Sequence, residues 1–298
     1  MKKLVLNAVQ LATLWTLIDT CPAAPLEESA PAPAIAFTPP SEEKLADDEY
    51  GRAVKLGKNI FTHTGRYAAQ YVGNQLSCSN CHLDAGRRPD SAPIWAAYGL
   101  YPAYRTKTKR MDTYAMRIQE CFEYSMNGHA PPADSPELVA LETYSQWLAT
   151  GAPIGVRLNG QGYRKLEPPR LAPDFERGRA VFQEKCASCH GSEGEGRRNG
   201  EDTIFPALWG KQSYNWGAGM AKLSNAAAFI RSNMPFGNGG SLTSQEAWDL
   251  AMFVNGHERP QDPRFVHSVE ETRVRFHNTP DSLYGAVIEG HLLGSGLN

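Results

Sequence analysis

Apolar residues recur with helical spacing in several stretches of the chain, and nowhere does a convincing apolar–polar alternation suggest a strand. The first helical pattern covers residues 42–61, with Ser41 as its cap and Glu42 and Glu43 in its first turn. A second begins at Ser135 with Pro136 at its first position. It sets Leu138, Leu141, Tyr144, Trp147 and Leu148 on one face and stops at Gly151. Residues 174–188 form a third, and Thr243 with Glu246 makes a capping box ahead of Trp248, Leu250, Ala251 and Val254. A further helix starts near Asp112 and is closed by Asn127 and Gly128. The expected fold is all-α.

With 298 residues there is enough chain for two domains, each with its own core. "GQGYRKLEPPRLAP", residues 160–173, has the Gly, Pro and basic residues of a linker between them. The start of the chain changes the picture: "MKKLVLNAVQLATLWTLI" joins a basic beginning to an apolar run and reads as a secretory signal peptide over residues 1–24. An Ala/Pro-rich leader, residues 25–41, follows. Cys21 invites a lipid anchor, but Ile18, Asp19 and Thr20 make a poor lipidation box, so the expectation is a periplasmic protein without one. A formal net charge of -2 argues against nucleic acid as a partner.

Four of the six cysteines fall in two copies of one pattern, "CSNCH" at Cys78, Cys81 and His82 and "CASCH" at Cys186, Cys189 and His190. In this spacing both thiols add across the vinyl groups of one haem while the adjacent histidine turns its imidazole to the iron. Zinc and dithiol redox sites have no need of a histidine directly after both pairs, and zinc knuckles usually lie closer together. Two covalently bound c-type haems are expected, one in a domain at residues 42–165 and one in a domain at 166–265. Bacteria attach such haems outside the cytoplasmic membrane, in agreement with the leader. Residues 266–298 have no pattern that decides their role.

Each iron needs a sixth ligand, usually Met or His. In the second domain "IRSNMPFGNGG" supplies Met234 ahead of a Pro and Gly loop, with Met252, Met220 and His257 as weaker rivals. The first domain offers Met111, Met116, Met126, His129 and Cys121. Helical spacing puts Arg117, Cys121 and Ser125 on one stripe, flanked by Tyr114, Ile118 and Phe122. A lone cysteine is often only a small buried hydrophobe, yet a free thiol is a hazard in an oxidising compartment, which favours iron as its holder.

These stretches resemble the dihaem thiosulfate dehydrogenases, which also work as tetrathionate reductases. The matching segments are "VGNQLSCSNCHLDAG", "IWAAYGLYPAYR", "RIQECFEYSMNG", "RGRAVFQEKCASCHG" and "NMPFG", in the family's order over most of residues 50–260. The resemblance implies tandem cytochrome c domains, Cys121 as distal ligand of a first, catalytic haem, Met234 as ligand of the second, and substrate contacts from Arg117 and Ser125. Where the family tends to have arginine upstream of the ligand cysteine, "YRTKTKRMD" offers Lys107 or Arg110. Glu120 stands where a glycine is common, and Asn233 where some members carry a lysine that can replace methionine on iron.

The chemistry agrees with the resemblance on one point: joining two dianions costs Coulomb energy, so a partly desolvated site needs cations, and Lys107, Arg110 and Arg117 are the candidates. The expected activity is oxidation of two thiosulfates to tetrathionate, reversibly. Electrons pass from a His82/Cys121 haem through a His190/Met234 haem to a soluble or membrane-bound cytochrome or another acceptor. A dihaem electron carrier without substrate chemistry, or a relative of the SoxA sulfur-oxidation subunit, are the alternatives.

Overall fold

The computed structural model describes residues 35–200 and 202–297. The expected signal peptide and Cys21 lie outside them. Six helices of seven residues or more carry the fold among the described residues: α1 (Glu49–Thr62), α2 (Tyr114–Glu120), α3 (Pro136–Leu148), α4 (Phe175–Lys185), α5 (Leu223–Asn233) and α6 (Ser244–Asn255). Three two-stranded antiparallel ribbons interrupt them: β1 (Ala103–Arg105) with β2 (Arg110–Asp112), β3 (Arg197–Asn199) with β4 (Asp202–Phe205), and β5 (Val287–Ile288) with β6 (His291–Leu292). The pairs are too short to show as alternation in the sequence, and the architecture is mostly helical. No helix among the described residues is long and apolar enough to cross a membrane.

The helix expected over residues 42–61 is broken. Ser41 caps only the 3-10 turn Glu42–Lys44, and α1 begins after Asp48, whose carboxylate accepts the Gly51 amide at 2.8 Å. The chain folds back here because Gly51 has no Cβ: one built there would stand 1.8 Å from the Ala46 carbonyl oxygen. α2 likewise starts later than expected. Thr113 is its cap, and Asp112, fully buried, is instead committed to Thr108 and Arg110 at 2.7 Å each. The other starts agree with the sequence. Ser135 caps α3 at the Leu138 amide, and Thr243 and Glu246 close a reciprocal box on α6 at 3.1 and 2.7 Å.

In the first half α1 crosses α3, burying Val54, Ile60, Phe61, Leu141, Tyr144 and Leu148 in one core. In the second, α6 packs on α4 and α5 through Phe182, Leu250, Phe253 and Ala251. Both crossings turn on a glycine. A Cβ at Gly57 would meet the Ala140 oxygen at 2.0 Å and Tyr144 Cβ at 2.7 Å; one at Gly178 would meet the Asp249 oxygen at 2.1 Å and Phe253 Cβ at 2.7 Å. The helix ahead of each Cys-x-x-Cys-His segment thus lies backbone to backbone on the last helix of its half.

The C-terminal segment, on which the sequence is silent, is part of the folded body. Tyr284 and Leu293 are fully buried in the core that also holds Tyr214 and Trp216. Asp281 caps α5 from a distance: its carboxylate accepts the Ser224 amide and hydroxyl at 2.6 Å each, and its carbonyl accepts the Leu223 amide at 2.9 Å.

Adding a methyl group at either crossing forces the helices apart. Gly57→Ala and Gly178→Ala are each expected to destabilise the protein by about 1–3 kcal/mol, read as a lowered midpoint in thermal or denaturant unfolding. Gly65→Ala, where a Cβ meets nothing within 4 Å, serves as the control and leaves the midpoint nearly unchanged.

Candidate active site

Cys78 sits in a 3-10 turn, Cys78–Asn80, begun by Ser77, whose amide donates to the Asn80 side chain at 2.7 Å. This turn puts both thiols and His82 on the wall of one cavity whose lining is mostly apolar, including Phe61, Leu76, Ile94 and Leu141. His82 Nδ1 lies 2.7 Å from the Ala92 carbonyl oxygen. A carbonyl only accepts, so the proton is on Nδ1 and the Nε2 lone pair is free for a metal. Ala92 is held in turn by its amide's bond to the Gly162 oxygen at 2.8 Å, so the start of the interdomain stretch helps to aim the ring.

Burial keeps His82 neutral by pulling its pKa down to about 4, and pushes the Cys78 and Cys81 thiols up to about 12. Two inert thiols and a neutral, aimed imidazole on one apolar wall are the donor set that a covalently attached haem requires. The second half repeats it. Cys186, Cys189 and His190 share one turn after α4, burial again lowers the His190 pKa, and His190 Nδ1 lies 2.9 Å from the Pro206 carbonyl oxygen.

Cys121 lines the same cavity as Cys78, Cys81 and His82. It opens a π turn, Cys121–Ser125, in which the Met126 amide bonds to the Cys121 oxygen at 2.9 Å, so α2 does not run on as the regular helix that the sequence suggests. The expected pairing survives, because Cys121 caps the regular part and its amide still bonds to the Arg117 carbonyl oxygen. Arg117 NH1 donates to Cys121 Sγ at 3.0 Å, and Ser125 lines the cavity beside them. The electrostatic interaction with Cys121 is the main cause of a raised Arg117 pKa, against the opposing effect of burial.

The rival ligands fall in different places. Met126 and Met220 line the cavity; Met111 is exposed on β2, Met116 Sδ accepts the Thr113 amide, and His129 packs edge-on against Tyr71. In the second half His257 is stacked on Trp209 and bonded to the Phe253 oxygen at 2.7 Å, and Met252 lies within α6. Met234 stands at the exit of α5, where the backbone turns extended ahead of Pro235. Asn233 is buried, its amide donating to the oxygens of Asp90 and Phe229 at 3.2 Å each.

The two upstream cations part company. Lys107, on the turn between β1 and β2, reaches inward: its Nζ donates to the Gly217 oxygen at 2.8 Å and lies 3.1 Å from the centre of the Tyr124 ring. Arg110 is a misplaced candidate. It is largely exposed, paired with Asp112 at 2.7 Å, and lines neither cavity, because the hairpin sends it away from Lys107. Lys107 belongs to a second cavity that shares Cys81, His82, Arg117, Ser125 and Met220 with the first. Arg264, Lys222 and Arg275 also line it. Sequence reasoning missed these three, since only tertiary packing brings them there. Glu120 is buried with both carboxylate oxygens short of a hydrogen bond, 3.7 Å from Arg117 and 3.5 Å from Arg105.

The chain is similar to several known proteins. Residues 65–154 match the family described as SoxA/TsdA, cytochrome c domain, and residues 173–254 match cytochrome C oxidase, cbb3-type, subunit III. The chain is 53% identical over 258 residues to a thiosulfate dehydrogenase of Thiomonas intermedia, covering 87% of this chain and 82% of that protein. A thiosulfate dehydrogenase of Stutzerimonas stutzeri is 49% identical over 263 residues, 88% of this chain and 86% of the relative. The solved thiosulfate dehydrogenase (TsdBA) from Marichromatium purpuratum, in its "as isolated" form, superposes with a TM-score of 0.86 at 50% identity. That match covers 88% of this chain and 58% of the other, longer one. The protein belongs to the thiosulfate dehydrogenase family, with two cytochrome c domains that each carry a covalently bound haem.

Proposed function

We propose that the protein oxidises two thiosulfates to tetrathionate, reversibly, where Cys121, Arg117 and Ser125 meet, and that it does so in the periplasm, where c-type haems are attached. The observation that carries this reading is the 3.0 Å contact from Arg117 NH1 to Cys121 Sγ, at the junction of an apolar cavity and a cation-rich one. His82 with Cys121 would hold one haem and His190 with Met234 the other, and the pair would supply the one-electron redox chemistry that passes electrons to an outside acceptor such as a cytochrome.

The chain's own residues have an electrostatic task. Two dianions with charge centres roughly 6 Å apart repel by about 11 kcal/mol at an effective dielectric near 20. Arg117 and Lys107 offset part of this where the sulfurs meet, and Arg117 also stabilises the Cys121 thiolate. The thiolate forms a bond to the terminal sulfur of the first thiosulfate as two electrons leave, giving Cys-S-S-SO3⁻. The terminal sulfur of the second thiosulfate then attacks that sulfane sulfur, breaking the bond to Cys121 and restoring the thiolate as tetrathionate departs. Total charge is conserved in both steps once the two electrons are counted.

Lys107 makes the site sensitive to pH. Burial, then the neighbouring Arg264 and Arg117, lower its pKa to about 7 against the opposing pull of Glu120 and Asp262. Below that value it is an ammonium facing the anions; above it the charge is gone.

Cys121→Gly is expected to retain both haems, seen in the absorption spectrum and by mass, and to lose thiosulfate-dependent reduction; wild-type turnover in that variant would remove Cys121 from the chemistry. Arg117→Gln should lower kcat about 10²–10³-fold. The kcat/KM for thiosulfate, itself a dianion throughout, should fall as pH rises through about 7. Lys107→Arg moves that fall to higher pH and Lys107→Gln flattens it. A profile identical to wild type in Lys107→Arg assigns the titration to another group.

A further inference from the structure

The second cavity is lined by more cations than the two propionates of one haem neutralise, Lys107, Arg117, Lys222, Arg264 and Arg275 among them, and by no Asp or Glu among the described residues. Arg264 is the most firmly placed. Its Nε donates to Asp262 Oδ1 at 3.0 Å and its NH2 to Oδ2 at 2.6 Å, and its guanidinium lies between the rings of Tyr124 and Phe276, 5.3 and 4.6 Å from their centres. Asp262 is almost wholly buried and does not line the cavity. Its Oδ2 is also met by His277 Nε2 at 2.8 Å, and His277 stacks on Tyr284 with ring centres 4.3 Å apart. Among the described residues NH1 of Arg264 has no hydrogen-bond partner, so that edge is left for a ligand.

Lys107 meets the same Tyr124 ring, 3.1 Å from its centre, and its ammonium spends one donor on Gly217. Two fixed cations sharing one aromatic ring, next to the Arg117 and Ser125 that both cavities share, form a place for a second anionic group at the edge of the reaction site. Tetrathionate has a sulfonate at each end, and its formation brings two such groups together.

Resting on the reading above, we infer that Arg264 and Lys107 form a second anion subsite, which holds the outer sulfonate of tetrathionate or of the second thiosulfate, and that His277 positions Arg264 through Asp262. The residues 266–298 are then a working part of the site, since they supply the ring that fixes the carboxylate.

The experiment uses the dihaem holoprotein. Wild type, Arg264→Gln, Arg264→Lys and His277→Phe are compared for KM and kcat with thiosulfate, for tetrathionate affinity by calorimetry, and for the potential of each haem. Arg264→Gln should weaken tetrathionate binding and raise KM by about tenfold to a hundredfold, the loss falling mainly on KM. Arg264→Lys should recover part of both, and His277→Phe, which keeps the stack on Tyr284, should show an intermediate loss. Unchanged tetrathionate affinity in Arg264→Gln with a shifted potential of the first haem would assign Arg264 to a propionate and overturn the subsite. Unchanged affinity, KM and potential would overturn it too, while leaving the thiosulfate reading intact. A wild type that neither turns over thiosulfate nor binds tetrathionate would overturn both.

Discussion

A guanidinium 3.0 Å from a thiol sulfur is the contact on which the rest of this molecule depends. It sets what Cys121 can be. Without a cation at that distance, a cysteine on an apolar wall stays a protonated, inert hydrophobe, as burial makes Cys78 and Cys81. With it, the sulfur has a cationic hydrogen-bond donor beside it, the setting in which the proposed reaction uses Cys121. The contact also needs little architecture, because four residues on one helix bring the two groups together.

What does need architecture is the surrounding charge. The cations of the second cavity come from the hairpin turn at Lys107, the helix at Arg117, the Lys222 segment ahead of α5, and the C-terminal stretch from Arg264 to Arg275. Each is anchored in a different way: Lys107 to the Gly217 carbonyl and the Tyr124 ring, Arg264 to Asp262, and the whole C-terminal stretch by Asp281 on α5 and Tyr284 in the core. The two glycine crossings hold the helices against which these segments are laid. Packing far from the sulfur chemistry therefore bears on its electrostatics.

This division also explains how much was legible in the sequence. Features set by short spacing were readable: both Cys-x-x-Cys-His turns, the α6 capping box, and the Arg117–Cys121 pair, whose i, i+4 relation holds even though the helix widens into a π turn just beyond it. Features set by tertiary packing were not. "YRTKTKRMD" gave no reason to choose between Lys107 and Arg110, because the choice is made by a hairpin whose three-residue strands are too short to leave an alternating pattern. Arg264, in "QDPRF", looked like an ordinary loop arginine. Its place depends on His277, thirteen residues on, and on Tyr124, far earlier in the chain. The break in the first helix was hidden because Ser41 and Asp48 are both good caps, and only the close approach of Gly51 to Ala46 decides between them.

Glu120 shows how finely the charges are set. A buried carboxylate one residue from Cys121 opposes negative charge on the sulfur and anion binding beside it, and its oxygens lie near two guanidiniums without making a hydrogen bond to either. Its attraction holds Arg105 and Arg117 at the site before any substrate is present, which lowers the entropy lost on binding, but it also takes part of the positive field that Arg117 would otherwise direct at the sulfur. A site with this acid must draw more of its anion attraction from elsewhere. Lys107 and Arg264, both against the Tyr124 ring, are the groups placed to supply it, and neither of them donates a hydrogen bond to that carboxylate.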